Sequence, residues 1–173
     1  MKFDTSIVQA HYPSPLGMMR LAATHMGLAG VWFEGQRHLP RELALTPGWP
    51  IDVGHPVLIK TTQQLAQYFA GQRKVFDVPL DLSGGTVFQQ SVWRALQRIE
   101  SGQTSSYGKV SKTIGNSAAV RAVGAAVGRN PISIIVPCHR VLGSDGSMTG
   151  YAGGLDRKTA LLKLESALTE DLF

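Results

Sequence analysis

Cys138 is the only cysteine in the chain, and His139 follows it directly within Pro137-Cys138-His139-Arg140. A single thiol cannot close an intramolecular disulfide or supply a four-cysteine zinc site. A thiol beside an imidazole is a pairing that nucleophilic catalysis uses, because a neighbouring base raises the fraction of thiolate. A small buried hydrophobe accounts for the same tetrapeptide equally well. The apolar run Ile132-Ser133-Ile134-Ile135-Val136 leads into it and suits an interior location. A carboxylate offers a third group. Leu161, Leu164 and Leu168 repeat at helical spacing after Asp156, and Glu165 falls on their stripe. A carboxylate there needs a partner. It is either a stripe-edge side chain reaching water or an orienter for His139, completing a Glu–His–Cys relay.

The elements that must hold these groups divide at about Ser83-Gly84-Gly85, giving expected domains over 1–84 and 85–173. In the first, Ile7-Val8, the alternating Met19, Leu21 and Ala23, and Leu28 to Phe33 read as an antiparallel meander. Its turns fall at Pro13–Gly17 and at Met26-Gly27. Residues 34–56 hold seven glycines and prolines and read as loop. A helix is expected from Pro56, with Leu58, Leu65 and Phe69 inward and Gly71 as its stop. In the second domain Phe88, Val92, Leu96 and Ile99 mark a helix closed by Gly102. Ser106 caps a short helix bearing Val110 and Ile114, and another is expected from Ser117 to Gly128. The fold class is therefore α+β, with a three-stranded antiparallel sheet and helix followed by a helical domain containing a helix-turn-helix.

Composition is ordinary for a globular protein, with 43% hydrophobic and 17% charged residues. No run approaches a membrane span, and the N-terminus lacks the apolar core of a signal peptide. A cytoplasmic protein is expected, in keeping with one unpaired thiol. The net charge of +5 favours a polyanionic partner. On the second helix of the helix-turn-helix, Val120, Val123, Gly124 and Val127 read as the inner stripe. Ala118, Ala122, Ala125 and Gly128 form a small outer face flanked by Arg121 and Arg129. Small side chains let a backbone approach a sugar-phosphate surface, and Lys109 and Lys112 add charge nearby. His11, His25, His38 and His55 lack metal-ligand spacing, Trp93 and Trp49 read as packing residues, and Glu170-Asp171 as a solvated tail.

The run Asn130 to Val141 closely resembles the active-site signature of the O6-alkylguanine-DNA alkyltransferases, or methylated-DNA–protein-cysteine methyltransferases. Phe88-Gln89-Gln90-Ser91-Val92-Trp93, Ser106-Tyr107-Gly108, Arg121-Ala122-Val123-Gly124 and Gly150-Tyr151-Ala152-Gly153-Gly154 resemble family motifs in family order. So does the ending from Lys158 through Leu161-Leu162 to Glu165. Pro15-Leu16-Gly17 and Tyr68-Phe69-Ala70-Gly71 are similar but less specific. The resemblance implies a ribonuclease-H-like first domain and a winged-helix-like second one. It implies repair of alkylated guanine in double-stranded DNA, entered from the minor groove, where spacing alone would have pointed to the major groove.

The resemblance also implies roles. Cys138 is the nucleophile, His139 takes its proton through a water, and Glu165 holds the imidazole. Tyr107 protonates the departing guanine and helps turn the nucleotide. Arg121 fills the gap in the duplex, on a helix that brings Ala118 and Ala122 to DNA. Asn130 is a hinge between that helix and the active-site segment. Tyr151, Ala152 and Gly153 cover the flipped base, the Cys138 and Val141 carbonyls accept the guanine amine, and Lys158 belongs with the substrate and DNA contacts. Val87, Ser117, Val120 and Ala152 depart from common family residues, which bears on DNA affinity and alkyl range. Some members bind zinc through N-terminal cysteines; this chain has none there, so neither metal nor cofactor is expected.

A thioether has no electrophilic carbonyl for water to attack, so one turnover per molecule is expected, in a protein that is monomeric in solution. Activity on O4-alkylthymine and cooperative assembly on DNA stay open. The alternatives are a helix-turn-helix DNA-binding regulator, a cysteine hydrolase that turns over repeatedly, and a lesion sensor without chemistry.

Overall fold

The computed structural model describes residues 1–168; the expected acidic tail at Glu170-Asp171 lies outside them. The chain divides into two compact units, the first ending at Thr86 and the second beginning at Val87.

The first unit is built on an antiparallel sheet in the order β1 (Val8–Ser14), β2 (Gly17–Thr24), β3 (Gly27–Phe33). Every residue of β3 is buried, which matches its unbroken apolar sequence. Helix α1 (Pro56–Phe69) packs on this sheet, with His55 accepting from Val57 N at its start. Its inner face is Leu58, Leu65 and Tyr68; Phe69 is only half-buried, one residue off the stripe. Trp49, from the proline-rich loop, packs its ring against Phe3 and Trp32. The stretch after α1 is not a free linker. Leu28 N donates to Pro79 O and Asp81 N to Leu28 O, each at 2.8 Å, and Thr24 Oγ1 donates to Asp81 Oδ2 at 2.6 Å. Residues 79–81 thus lie along the start of β3.

The second unit is mainly helical: α2 (Val87–Leu96), α3 (Tyr107–Thr113), α4 (Val120–Gly128) and α5 (Leu155–Leu164). Trp93 is wholly buried, and its indole Nε1 donates to Ala126 O at 2.8 Å, joining α2 to α4. Ser106 caps α3 by accepting from Lys109 N at 3.2 Å. Helix α4 starts three residues later than expected. Ala119 N bonds Asn116 O, so residues 116–119 form a turn, and Ala118 precedes the helix. Val120, at the first turn, is exposed; Val123, Ala126 and Val127 form the buried stripe. Helix α2 likewise stops at Leu96, and turns carry the chain through Ile99 to Gly102.

Two short strands escaped the sequence reading. β4 (Ser105–Ser106) and β5 (Val141–Leu142) pair in parallel. Two residues are too few for alternation to register, yet this ladder brings the start of α3 beside the segment that follows Cys138. Among the described residues no helix is long and apolar enough to cross a membrane.

Candidate active site

Cys138, His139 and Arg140 form one 3₁₀ turn (Cys138–Arg140), and all three are buried. The approach to that turn is unusual. Asn130, at the end of α4, donates from Nδ2 to Val136 O at 2.7 Å and accepts from Ile132 N at its Oδ1 at 3.0 Å. Its side chain therefore satisfies the backbone of a segment too irregular to satisfy itself. Ile134 within this segment is buried at φ +73°. A β-branched residue resists that region, so surrounding structure imposes it, at a cost of about 1–3 kcal/mol.

His139 and Glu165 meet inside the unit, with Nε2 and Oε1 2.8 Å apart. Glu165 sits at the C-terminal end of α5, seven residues after Lys158. The buried face of α5 is Lys158, Leu161, Leu162 and Glu165; Leu164, expected on that stripe, faces out. Glu165 also takes two bonds from Arg140, Nε to Oε2 at 2.9 Å and Nη2 to Oε1 at 2.8 Å. The remaining Arg140 nitrogen, Nη1, donates to Ile99 O at 2.5 Å. Sequence reasoning missed Arg140. The available signal was its place immediately after a buried histidine, where a cation needs a buried counter-charge.

Electrostatics assigns the protons. Burial would raise the Glu165 carboxyl, but its bonds from His139 and Arg140 dominate and hold it down at about 2. An ionised Glu165 only accepts, so His139 donates to it from Nε2. Burial also lowers the His139 pKa, outweighing the opposing pull of Glu165. The neutral ring then presents a lone pair at Nδ1, which is buried without a hydrogen-bond partner. Burial pushes the Cys138 thiol up, opposed first by the Asn130 amide and then by the Lys158 charge. Thiol and imidazole thus both favour their uncharged forms, and a proton acceptor stands ready at Nδ1.

The other expected residues fall in two groups. Tyr107 opens α3, its hydroxyl 3.5 Å from Thr149 O. Val141 is wholly buried at the start of β5. Tyr151 precedes a turn through Ala152 and Gly153 into α5, closed by Gly154 N on Tyr151 O at 2.9 Å. The Tyr151 hydroxyl is buried without a hydrogen bond of normal geometry, and burial, then the nearby Cys138, raises its pKa well above the usual value. Arg121 and Ala122 lie exposed on α4, and Ala118 is exposed ahead of it. Lys109 and Lys112 are exposed on α3. Lys158, expected among the substrate and DNA contacts, is wholly buried, with Nζ on the backbone carbonyls of Val141, Thr149 and Gly150. Among the described residues no group of three or more histidine, cysteine, aspartate or glutamate side chains could hold a metal ion.

The DNA-binding domain of 6-O-methylguanine DNA methyltransferase matches residues 87–167, and its ribonuclease-like domain matches residues 7–82. The chain belongs to the 6-O-methylguanine DNA methyltransferase family. It is 41% identical to the methylated-DNA–protein-cysteine methyltransferase of Haemophilus influenzae over 162 residues, 93% of this chain and 87% of that protein. It is 46% identical to the enzyme of the same name from Methanosarcina acetivorans over 158 residues, 91% and 97% of the two chains. The crystal structure of Mycobacterium tuberculosis O6-methylguanine methyltransferase superposes with a TM-score of 0.82 at 44% identity, covering 95% of this chain and 96% of that one. The structure of Mycobacterium tuberculosis OGT in complex with DNA superposes with a TM-score of 0.79 at 44% identity, covering 93% and 92%. The match to the DNA-binding domain spans the segment from Asn130 to Val141.

Proposed function

We propose that this protein repairs alkylated DNA directly, moving the alkyl group from O6 of guanine to the sulfur of Cys138. The observation that carries this reading is the buried sequence Cys138, His139 and Glu165, in which Glu165 fixes the imidazole so that its basic nitrogen is Nδ1. His139 takes the thiol proton there through a bridging water. The Sγ–carbon bond forms as the O6–carbon bond breaks, in line. Negative charge that develops on guanine is met by the Tyr107 hydroxyl and by backbone N–H groups of the 151–153 turn. Displacement at an alkyl carbon calls for a soft nucleophile and no oxyanion hole, which suits a lone thiolate.

The target atom lies within the base stack, so the nucleotide must be rotated out, at a cost of a few kcal/mol that is smallest for a poorly paired lesion. The exposed face of α4, with Ala122 and Ala125 flanked by Arg121 and Arg129, suits close approach to the minor groove, with Arg121 entering the space left by the base. Tyr151, Ala152 and Gly153 wall the extruded purine, and the Val141 carbonyl accepts its 2-amino group. Asn130 couples α4 to the reacting segment. The thioether product is stable to water, so each molecule acts once.

Intact mass after mixing with duplex holding O6-methylguanine tests the reaction. One methyl group, mapped to Cys138, is expected, and a Cys138→Ala variant gains none. Turnover beyond one equivalent would point to a hydrolase, and binding without mass gain to a regulator or sensor.

A further inference from the structure

The buried ammonium of Lys158 donates to Val141 O at 2.6 Å, Thr149 O at 2.8 Å and Gly150 O at 3.2 Å. Three acceptors match its three protons, which is what a wholly buried ammonium requires. The acceptors come from two stretches of chain. Val141 opens β5 directly after the turn bearing Cys138 and His139. Thr149 and Gly150 lead into Tyr151. The Tyr107 hydroxyl reaches the same Thr149 carbonyl from α3. One side chain on α5 therefore ties the backbone that directly follows the reacting turn to the backbone that leads into Tyr151. β5 is two residues long and has little rigidity of its own.

We propose that Lys158 is a positioning residue for base selection: it holds the Val141 carbonyl opposite the Thr149–Tyr151 stretch, where that carbonyl meets the 2-amino group of the extruded purine. This rests on the alkyl-transfer reading above. A carbonyl oxygen has two acceptor sites. Nζ occupies one and fixes the group; the other, on a wholly buried residue, meets the base once the extruded purine has entered. A site that spends a buried acceptor on a substrate N–H discriminates against an analogue lacking it, because the acceptor is then left unpaired.

The test compares otherwise identical duplexes holding O6-methylguanine or O6-methylhypoxanthine, which lacks only the 2-amino group. Second-order rates of Cys138 methylation are read by intact mass. The wild-type protein is expected to favour guanine about tenfold, the order of one hydrogen bond to a buried acceptor. In Lys158→Met the preference falls to about twofold, and Lys158→Arg, which keeps the charge, recovers part of it. The same ratio measured in the wild-type protein from about pH 6.5 to about pH 9.5 needs no variant. Burial brings the Lys158 pKa down to about 8, and a neutral amine has two protons for three carbonyls. The ratio is therefore expected to fall across pH 8. Cys138 and His139, which act electrostatically with Lys158, and Tyr107, which shares the Thr149 carbonyl, enter both rates alike and cancel. A wild-type ratio near one, or a ratio indifferent to pH, overturns the proposal. So does an unchanged ratio in a folded Lys158→Met protein; if that variant does not fold, the pH series decides. Failure of either substrate to methylate Cys138 would instead overturn the alkyl-transfer reading, and this proposal with it.

Discussion

Replacing Glu165 by glutamine tests the buried charge cluster most directly. The carboxylate accepts three bonds, from His139 Nε2 and from Arg140 Nε and Nη2, all at 2.8–2.9 Å. An amide offers one oxygen and turns an NH₂ group toward a donor. At least one donor is then unpaired, and the guanidinium charge is buried without its counter-charge. Removing one partner of a buried ion pair costs about 3–5 kcal/mol. Proton linkage gives a similar size. The gap between an ordinary value of 4.5 and about 2, at about 1.36 kcal/mol per pH unit, is roughly 3 kcal/mol, and the side chain is too buried for solvent to screen it. Because the folded-state pKa is depressed, this stability is fully present above pH 4.5 and is lost as pH falls toward 2. Urea unfolding of the wild type, Glu165→Gln, Arg140→Met and the double variant at neutral pH measures the cost. Each single change is expected to cost at least about 3 kcal/mol, and the double change about 2 kcal/mol or more below their sum. A pH series should show the wild type losing its advantage over Glu165→Gln between about pH 4.5 and about pH 2. Strict additivity, a Glu165→Gln cost under about 1 kcal/mol, or parallel acid curves would refute the argument.

Asn130→Ala should destabilise the second unit by about 2–4 kcal/mol, read by urea midpoint, because Val136 O and Ile132 N each lose a buried partner. Gly27→Ala should destabilise the first unit by about 2 kcal/mol or more: at φ +148°, a Cβ would lie 2.6 Å from Pro79 O. Arg121→Ala should leave thermal stability within about 0.5 kcal/mol, since the residue is exposed on α4. The same variant should weaken binding to alkylated duplex.

What the sequence made legible depended on the length of the pattern. Three strands alternate or run apolar over seven or eight residues between turn signals, and the meander follows. Ser106 announces α3 because a hydroxyl before a helix has one common use, and Pro56 marks α1 in the same way. Cys138 and His139 stand out by chemistry alone. The β4–β5 ladder is too short to have a period. Val120 reads as core by type, but the turn at 116–119 moves the helix start and leaves it in solvent. Lys158 lies three residues before Leu161 and seven before Glu165, so a helical wheel sets it inward. Its type argued for the surface, because lysine is buried only when all its protons are satisfied, and the three carbonyls that do so come from elsewhere in the chain. Nothing local marks Ile134 for a positive φ, since the packing around it enforces that conformation.

The depth of Cys138 has a consequence for how the molecule keeps. Only 7% of the residue meets solvent, and burial disfavours its anion. Dissolved peroxide and glutathione react with accessible thiolates and rarely with a sulfur so enclosed. A protein held ready for long intervals can therefore retain its one reactive atom unspent until a ligand of the right shape reaches it.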